Sequence, residues 1–279
     1  MNLPRPSPLA GTWYPGSPQA LARSVDAQLA AATSARPAGD LVALIVPHAG
    51  HRYSGAVACQ AFHLLRGIAV ETVVVVSPMH QPYPGRILTS AHPAYQTPLG
   101  IVAVDGELLD AVEASLPAGL RLERVAQDAE HSLEIELPFL QRALAGPFRL
   151  VPLMLRDQSA ATAEALGSAL ASALNGRSCL LVASSDLSHF YPDAVARSLD
   201  AYLLAQVEAF DPRGVIEAEE QGKGFACGRA AIAAVLWAAR GLGASRVHLL
   251  GYANSGEVTG DTASVVGYGA AAVTREQHG

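Results

Sequence analysis

Apolar residues in this chain gather in short unbroken runs separated by stretches with helical spacing. Residues 41–46, 72–76, 149–155 and 179–183 are nearly continuous apolar runs. That is the pattern of strands buried on both faces, as in a parallel sheet. Between them, Leu21, Val25, Leu29 and Ala32 recur at helical spacing behind Ser17-Pro18, an N-cap followed by proline at the first helical position. Pro37-Ala38-Gly39-Asp40 ends that helix. Further helices are predicted over 56–65, 130–144 (kinked by Pro138), 160–174, 193–210 and 229–239. Shorter strands are predicted at 86–90 and 101–104, joined by the loop around residues 95–100, and two more at 247–250 and 264–273. Strands alternating with helices point to an α/β fold, with a mainly parallel central sheet flanked by helices. No low-complexity linker and no repeat divides the chain, so residues 1–279 are expected to form a single domain.

Composition narrows the function classes. Half of the 279 residues are hydrophobic and 16% are charged, which excludes a disordered chain. The net charge is −6, no Lys/Arg run is present and aromatics make up only 6%, so no nucleic-acid partner is expected. Cys59, Cys179 and Cys227 are too few and too scattered for a disulfide framework and suit a reducing cytosol. The first residues lack the apolar segment of a signal peptide, and no run approaches the ~20 apolar residues of a membrane span. A cytoplasmic protein without a membrane partner is expected.

The candidate chemistry lies just beyond the apolar runs. The first is followed by Pro47-His48-Ala49-Gly50, the second by Ser77-Pro78-Met79-His80, and the fourth by Ser184-Ser185-Asp186-Leu187-Ser188-His189. Ligands of open α/β sheets bind beyond the carboxyl ends of the strands. Three strands therefore deliver His48, His80 and the Asp186/His189 pair to one edge. Either histidine alone reads as an ordinary loop residue; together, each ending an apolar run, they point to a site for iron, copper or zinc. Cys227, in Gly224-Phe225-Ala226-Cys227-Gly228-Arg229, precedes a predicted helix whose N-terminus would favour the ligating thiolate, although a free cysteine more commonly serves as a small buried hydrophobe. Cys59 and Cys179 read as buried hydrophobes. His131 and Glu134, three apart, share a face of the predicted helix, a spacing that by itself favours a helix-start salt-bridge cluster. Residues 11–15 and Tyr53-Ser54-Gly55 read as packing and turn elements. The Gly-rich stretch 255–261 lacks the spacing and lysine of a P-loop, and no Gly-x-Ser-x-Gly elbow is present. His51, His63, His92, His248 and His278 carry no pattern.

Taken together these segments resemble the Memo family, also called the AmmeMemoRadiSam system protein B family. The resemblance rests on residues 10–14 (AGTWY), Pro47-His48-Ala49-Gly50 with Tyr53-Ser54-Gly55, Pro78-Met79-His80, Thr97-Pro98-Leu99-Gly100, residues 128–141 (DAEHSLEIELPFLQ), 184–189 (SSDLSH), Cys227-Gly228-Arg229 and 254–268. It implies the α/β fold of class III extradiol dioxygenases, which are non-haem Fe(II) enzymes with a two-His, one-Glu site. In the Memo family the corresponding set is two His and one Cys, matched here by His48, His80 and Cys227. Asp186, His189 and His131 fall beside it as candidate catalytic groups: His189 as the acid/base, Asp186 as a group fixing a ligand imidazole. His51 departs from the family, which usually has Tyr after His-Ala-Gly. The cysteine puts ring cleavage itself in question, because thiolate alters the charge and redox behaviour of the metal.

The expected function is a metal-binding protein with an extradiol-dioxygenase-like site, iron first and copper second, performing O2-dependent redox chemistry on an unknown substrate. The alternative is a non-catalytic metal- or peptide-binding protein using the same cleft, in keeping with the link of animal Memo proteins to signalling and cell motility. A weaker third reading is a hydrolase using the metal as Lewis acid. The resemblance also implies an AMMECR1-like protein and a radical-SAM protein as partners, beside an unknown small molecule or peptide.

Overall fold

The apolar runs assemble into one mixed, mainly parallel sheet, seen in a computed structural model that describes residues 3–276. In chain order the elements are α1 (Pro18–Ala31), β1 (Asp40–Val46), α2 (His51–Phe62), β2 (Thr72–Pro78), β3 (Ile87–Ser90), β4 (Ala94–Thr97), β5 (Gly100–Ala103), α3 (Gly106–Ala114), β6 (Leu122–Val125), α4 (Leu137–Ala143), β7 (Arg149–Leu155), α5 (Ala160–Leu174), β8 (Cys179–Ser184), β9 (His189–Tyr191), α6 (Asp193–Glu208), α7 (Pro212–Glu220), α8 (Arg229–Gly241), β10 (Arg246–Asn254), α9 (Gly256–Thr259) and β11 (Val265–Arg275). The sheet order is β10-β11-β1-β8-β2-β7-β3-β6, with β9 paired to β11. The central strands β1, β8, β2 and β7 are mutually parallel, whereas β10, β11 and the β7/β3 junction are antiparallel.

Period-2 alternation divides the strand residues between two cores. Val74 and Val76 of β2 face the side covered by α3, α5, α7 and α8, and Val73 and Val75 face the side covered by α1, α2 and α4. Both sides are apolar, which is why the strands read as unbroken runs. The fold is thus a single α/β domain with helices on both faces. Among the described residues, no helix is long and apolar enough to cross a membrane.

Several local expectations are corrected. The helix expected at 56–65 begins at His51, so Tyr53-Ser54-Gly55 lie inside α2 rather than in a turn. The strand expected at 101–104 is β5, and the stretch read as the loop before it contains a further strand, β4, with which it forms a separate hairpin. The expected helix over 130–144 is mostly absent at its start. There the Glu130 carboxylate accepts the backbone N–H groups of His131 and Ser132, which supplies the backbone with a non-helical partner. A 3-10 turn follows at Glu134–Glu136, and Pro138 stands in the first turn of α4, where its missing N–H is no loss. Elements α3, β6, β9, α7 and α9 have no counterpart in the sequence pattern, and α9 lies in the stretch read as a Gly-rich loop. His278 lies outside the described residues.

Candidate metal centre

Because β1, β2 and β8 run parallel, their carboxyl ends open on one edge of the sheet. The residues that follow them converge there. His48 is buried, and its ring centroid lies 5.4 Å from that of His80 and 5.4 Å from that of His131. Cys227 arrives from the segment before α8, with its Sγ 3.2 Å from His48 Nε2. Two contacts anchor that segment to the turn after β8: Cys227 N–H donates to Asp186 O, and Gly228 N–H donates to Ser185 Oγ at 2.9 Å. Glycine is required at 228, since a Cβ there would lie 2.7 Å from the carbonyl oxygen of Ser184.

His48, His80 and Cys227 each offer a ligand atom, all within 4.8 Å of one another. Tetrahedral bonds of about 2.0–2.3 Å hold donors roughly 3.3–3.8 Å apart; the 3.2 Å His48–Cys227 pair is near that spacing, and any pair approaching the 4.8 Å bound would have to draw in around a shared ion. Each imidazole is held by its other nitrogen. Ser184 Oγ lies 3.0 Å from His48 Nδ1, and its own proton faces Ser132 O at 2.6 Å and Glu136 Oε1 at 2.7 Å. The hydroxyl therefore accepts from His48 Nδ1–H, which leaves Nε2 bare toward the sulfur. His80 Nδ1 lies 2.9 Å from Glu130 Oε1, while the other Glu130 oxygen accepts His80 N–H at 2.6 Å. A carboxylate holding a histidine by Nδ1 is the usual arrangement behind an Nε2 metal ligand.

Burial dominates the electrostatics of the cluster. Burial, reinforced by the neighbouring Asp186 carboxylate, pushes the Cys227 thiol well above its ordinary range. The expectation that the helix terminus would lower it is not met, because desolvation dominates. Burial, with help from His131 and His80, drives His48 well below the usual imidazole value. It also lowers His131 to about 4 against the opposing pull of Glu130. Asp186 is raised to about 7 by burial, partly offset by the N–H groups of His48 and Ala49, which donate to Oδ1 at 2.7 and 3.2 Å. Asp186 thus holds the backbone of His48 rather than its ring; the ring is held by Ser184. Burial also raises Glu130, but the His80 hydrogen bond and charge outweigh it and keep the carboxylate ionised. Glu136, fully buried behind Ser184, is raised well above the carboxylate range.

The site opens into a cleft of about 530 Å³ whose lining includes Trp13, Tyr53, His131, His189, Phe190 and Tyr268. His189 donates from Nδ1 to Leu187 O at 2.7 Å, so its Nε2 is the free acceptor. Phe190, next to it, has a left-handed backbone (φ 64°) and is 73% exposed. His131 packs against Trp13, with centroids 4.7 Å apart, and against His80 at 4.6 Å. Its carboxylate neighbour is Glu130, not Glu134 as the helical spacing suggested. Glu134 is turned away toward Arg5 and Tyr14. All six singled-out residues, His48, His80, Asp186, His131, His189 and Cys227, therefore meet at one edge. Those missed are the supporting groups Glu130, Ser184 and Glu136. All three lie inside segments already singled out, Glu130 and Glu136 in 128–141 and Ser184 at the start of 184–189, but nothing in the pattern showed which ring each supports.

Of the remaining histidines, His51 is buried between Tyr14 and Phe139, with Nε2 3.0 Å from Ile135 O. His63 and His248 reach Ser34 and Thr274. His92 lies between the carbonyl oxygens of Leu3 and Ala126. Among the described residues the three cysteines are free.

Comparison with known proteins places the chain among Memo-like proteins. The family description of Memo-like proteins matches residues 5–272. A "MEMO1 family protein" of Nitrosopumilus maritimus is 32% identical over 266 residues, covering 94% of this chain and 96% of its own length. Another from Methanothermobacter thermautotrophicus is 36% identical over 274 residues, covering 93% and 96%. The crystal structure of an uncharacterized protein from Escherichia coli K12 shares the fold, with a TM-score of 0.54 and 18% identity over 82% of this chain and 99% of that one.

Proposed function

The chain belongs to the Memo family, and from that premise we propose that it binds a redox-active transition metal, iron first and copper second, through His48, His80 and Cys227. In this reading it carries out O2-dependent redox chemistry on a small molecule admitted by the cleft. The observation that carries the reading is the convergence of two Nδ1-anchored imidazoles and one half-buried thiol, donor atoms within 4.8 Å, beside a cleft that His48 and His80 line. A bound metal of this kind supplies a one-electron centre with open positions for O2 or substrate. The chain supplies the rest. Ser184 and Glu130 orient the imidazoles, Asp186 pins the His48 backbone, and the free Nε2 of His189 takes a proton from whatever occupies the cleft.

The test is metal analysis of protein purified without oxygen. Iron or copper near one per chain is expected, falling close to zero in the double variant His48→Ala/His80→Ala while the far-UV circular dichroism stays unchanged. Full metal content in that variant would sink the ligand assignment. His189→Ala should retain metal yet slow oxygen consumption by the reduced, metal-loaded protein.

A second reading has its own support. Trp13, Tyr53 and Phe190 stand exposed around the cleft, as in a non-catalytic module that grips a peptide. Oxygen uptake no faster than that of free metal, together with saturable peptide binding lost in Phe190→Ala, would favour it.

A further inference from the structure

Arg5 is among the largest fully buried side chains of the molecule, yet it belongs to an irregular N-terminal segment and touches none of the candidate ligands. Its guanidinium is directed mainly at one loop, although Nη1 also donates to the neighbouring Pro6 O at 3.2 Å. Nε lies 2.7 Å from Asp128 Oδ2, Nη1 donates to Glu134 Oε2 at 2.5 Å, and Nη2 donates to the backbone carbonyl of Glu130 at 2.6 Å. Its plane lies 5.0 Å from the ring centroid of Tyr95, whose hydroxyl also donates to Asp128. Its backbone is pinned as well: Arg5 N–H donates to Ala94 O, and Arg5 O accepts from Gln96 N–H. Glu134 in turn gathers Ser7, Tyr14 and the backbone N–H of Leu9.

The loop held this way has no regular secondary structure of its own from Asp128 to Ser132. It nevertheless carries Glu130, whose carboxylate grips His80 at both N–H and Nδ1 and also accepts from His131 and Ser132. His48 and His80 each stand two residues beyond an inner strand, but the His48 ring is backed by Ser184 on β8, whereas the His80 ring is backed by this loop carboxylate. We propose that Arg5 is a positioning residue for the metal centre: by clamping the Asp128–Glu134 loop at the carbonyl of Glu130, it sets the Glu130 carboxylate and through it the His80 imidazole. The inference rests on the reading of His80 as a ligand. The guanidinium hydrogen-bonds Glu134 and the Glu130 carbonyl through its two Nη atoms and pairs by charge with Asp128 through Nε, a divergent set that a lysine point charge cannot match.

The test uses Co(II) as probe, titrated into the full-length protein under anaerobic conditions. Residues supporting a metal ligand typically contribute about 10- to 100-fold in affinity. Arg5→Met is expected to weaken Co(II) binding by that order and to shift the d–d absorption of the bound ion; Arg5→Lys should fall between it and wild type. The discriminating measurement is a double-mutant cycle with Glu130→Gln. If Arg5 acts through Glu130, the double variant binds Co(II) no more weakly than Glu130→Gln alone. Additive losses, or an Arg5→Met protein with wild-type affinity and spectrum, would overturn the proposal.

Should the Arg5 variants fail to fold, the wild type answers by reciprocity. Co(II) should slow hydrogen exchange of the Arg5 and Gln96 amides, and exchange at an unchanged rate would count against the clamp. If the wild type binds no Co(II) at all, the metal reading itself is wrong and this inference falls with it; if it binds Co(II) and the cycle is additive, only the inference falls.

Discussion

His51 shows how far one buried ring can shape the pH response. Burial lowers its pKa from the usual imidazole range to about 4, with the hydrogen bond to Ile135 O pulling the other way. The folded protein therefore keeps His51 neutral, whereas the unfolded chain protonates it near pH 6.5. Stability from this residue is complete above pH 6.5 and is lost as pH falls from there toward 4. The loss approaches about 3 kcal/mol if the whole shift is realised. His51→Phe keeps a ring between Tyr14 and Phe139 but cannot titrate. Urea unfolding at pH 7.5 and 5.0 should show a smaller acid-induced loss in the variant than in wild type. An equal loss would mean that His51 is not the group responsible. Nothing in the sequence marked His51 for this role, since its environment is assembled from α2, α4 and the Tyr14 segment. The same holds for Cys227. Its position before a helix was visible and suggested a lowered pKa, but the burial that reverses the sign depends on the chain folding over it.

Among the elements, the pair α5 and α8 depends on close approach. Both helices are rich in alanine, and Gly167 on α5 faces α8 so tightly that a Cβ would lie 2.6 Å from Trp237 Cβ and 2.8 Å from Ala234 O. On an exposed helix Gly→Ala would stabilise by about 1 kcal/mol. At 167 the methyl meets a backbone carbonyl and a side-chain stem that cannot move independently of α8. Gly167→Ala is expected to destabilise by ~1–3 kcal/mol, measured by chemical denaturation. Unchanged or raised stability would show that the helices can separate without cost.

The bounds of α5 and β7 were legible because each has one uninterrupted pattern, and β1, β2 and β8 because burial on both faces leaves a continuous apolar run. The segment 126–136 was not legible. Its Glu, His and Leu spacing imitates a helix, but Glu130 and Glu134 serve as acceptors for backbone and arginine donors from distant parts of the chain. A local pattern contains no trace of Arg5.

For the molecule as a whole, the candidate ligands come from three separate segments, which follow β1, follow β2 and precede α8. An ion bound by all three is bound by the native state and not by the unfolded chain, so it must stabilise the fold by mass action. At a free metal concentration 100 times Kd the gain is about 2.7 kcal/mol, corresponding to roughly 5–10 °C in Tm for a domain of this size. Differential scanning calorimetry with and without Fe(II) under anaerobic conditions should show the rise in wild type and none in His48→Ala/His80→Ala. A rise of the same size in both would place the ion elsewhere. The convergence at the strand ends was readable in advance because parallel strands share a direction; the groups that orient the ligands were not, because they come from loops.

The position of β1 has a consequence for how the protein is made. β1 is an early strand in the chain but a central one in the sheet. One edge pairs with β8, and the other pairs with β11, where Ile45 lies opposite Ala271. On the ribosome, Leu44, Ile45 and Val46 emerge long before either partner exists, so co-translational folding can nucleate around β1 but cannot close the sheet over it. Such late closure places the chain among slow folders of high contact order, with an apolar edge open to other nascent chains until the last strand is released. The Pro47-His48 turn that follows β1 is held by Ser184 and Asp186 of the later β8 segment, so an ion shared by His48, His80 and Cys227 can be captured only after the chain has been made as far as Cys227.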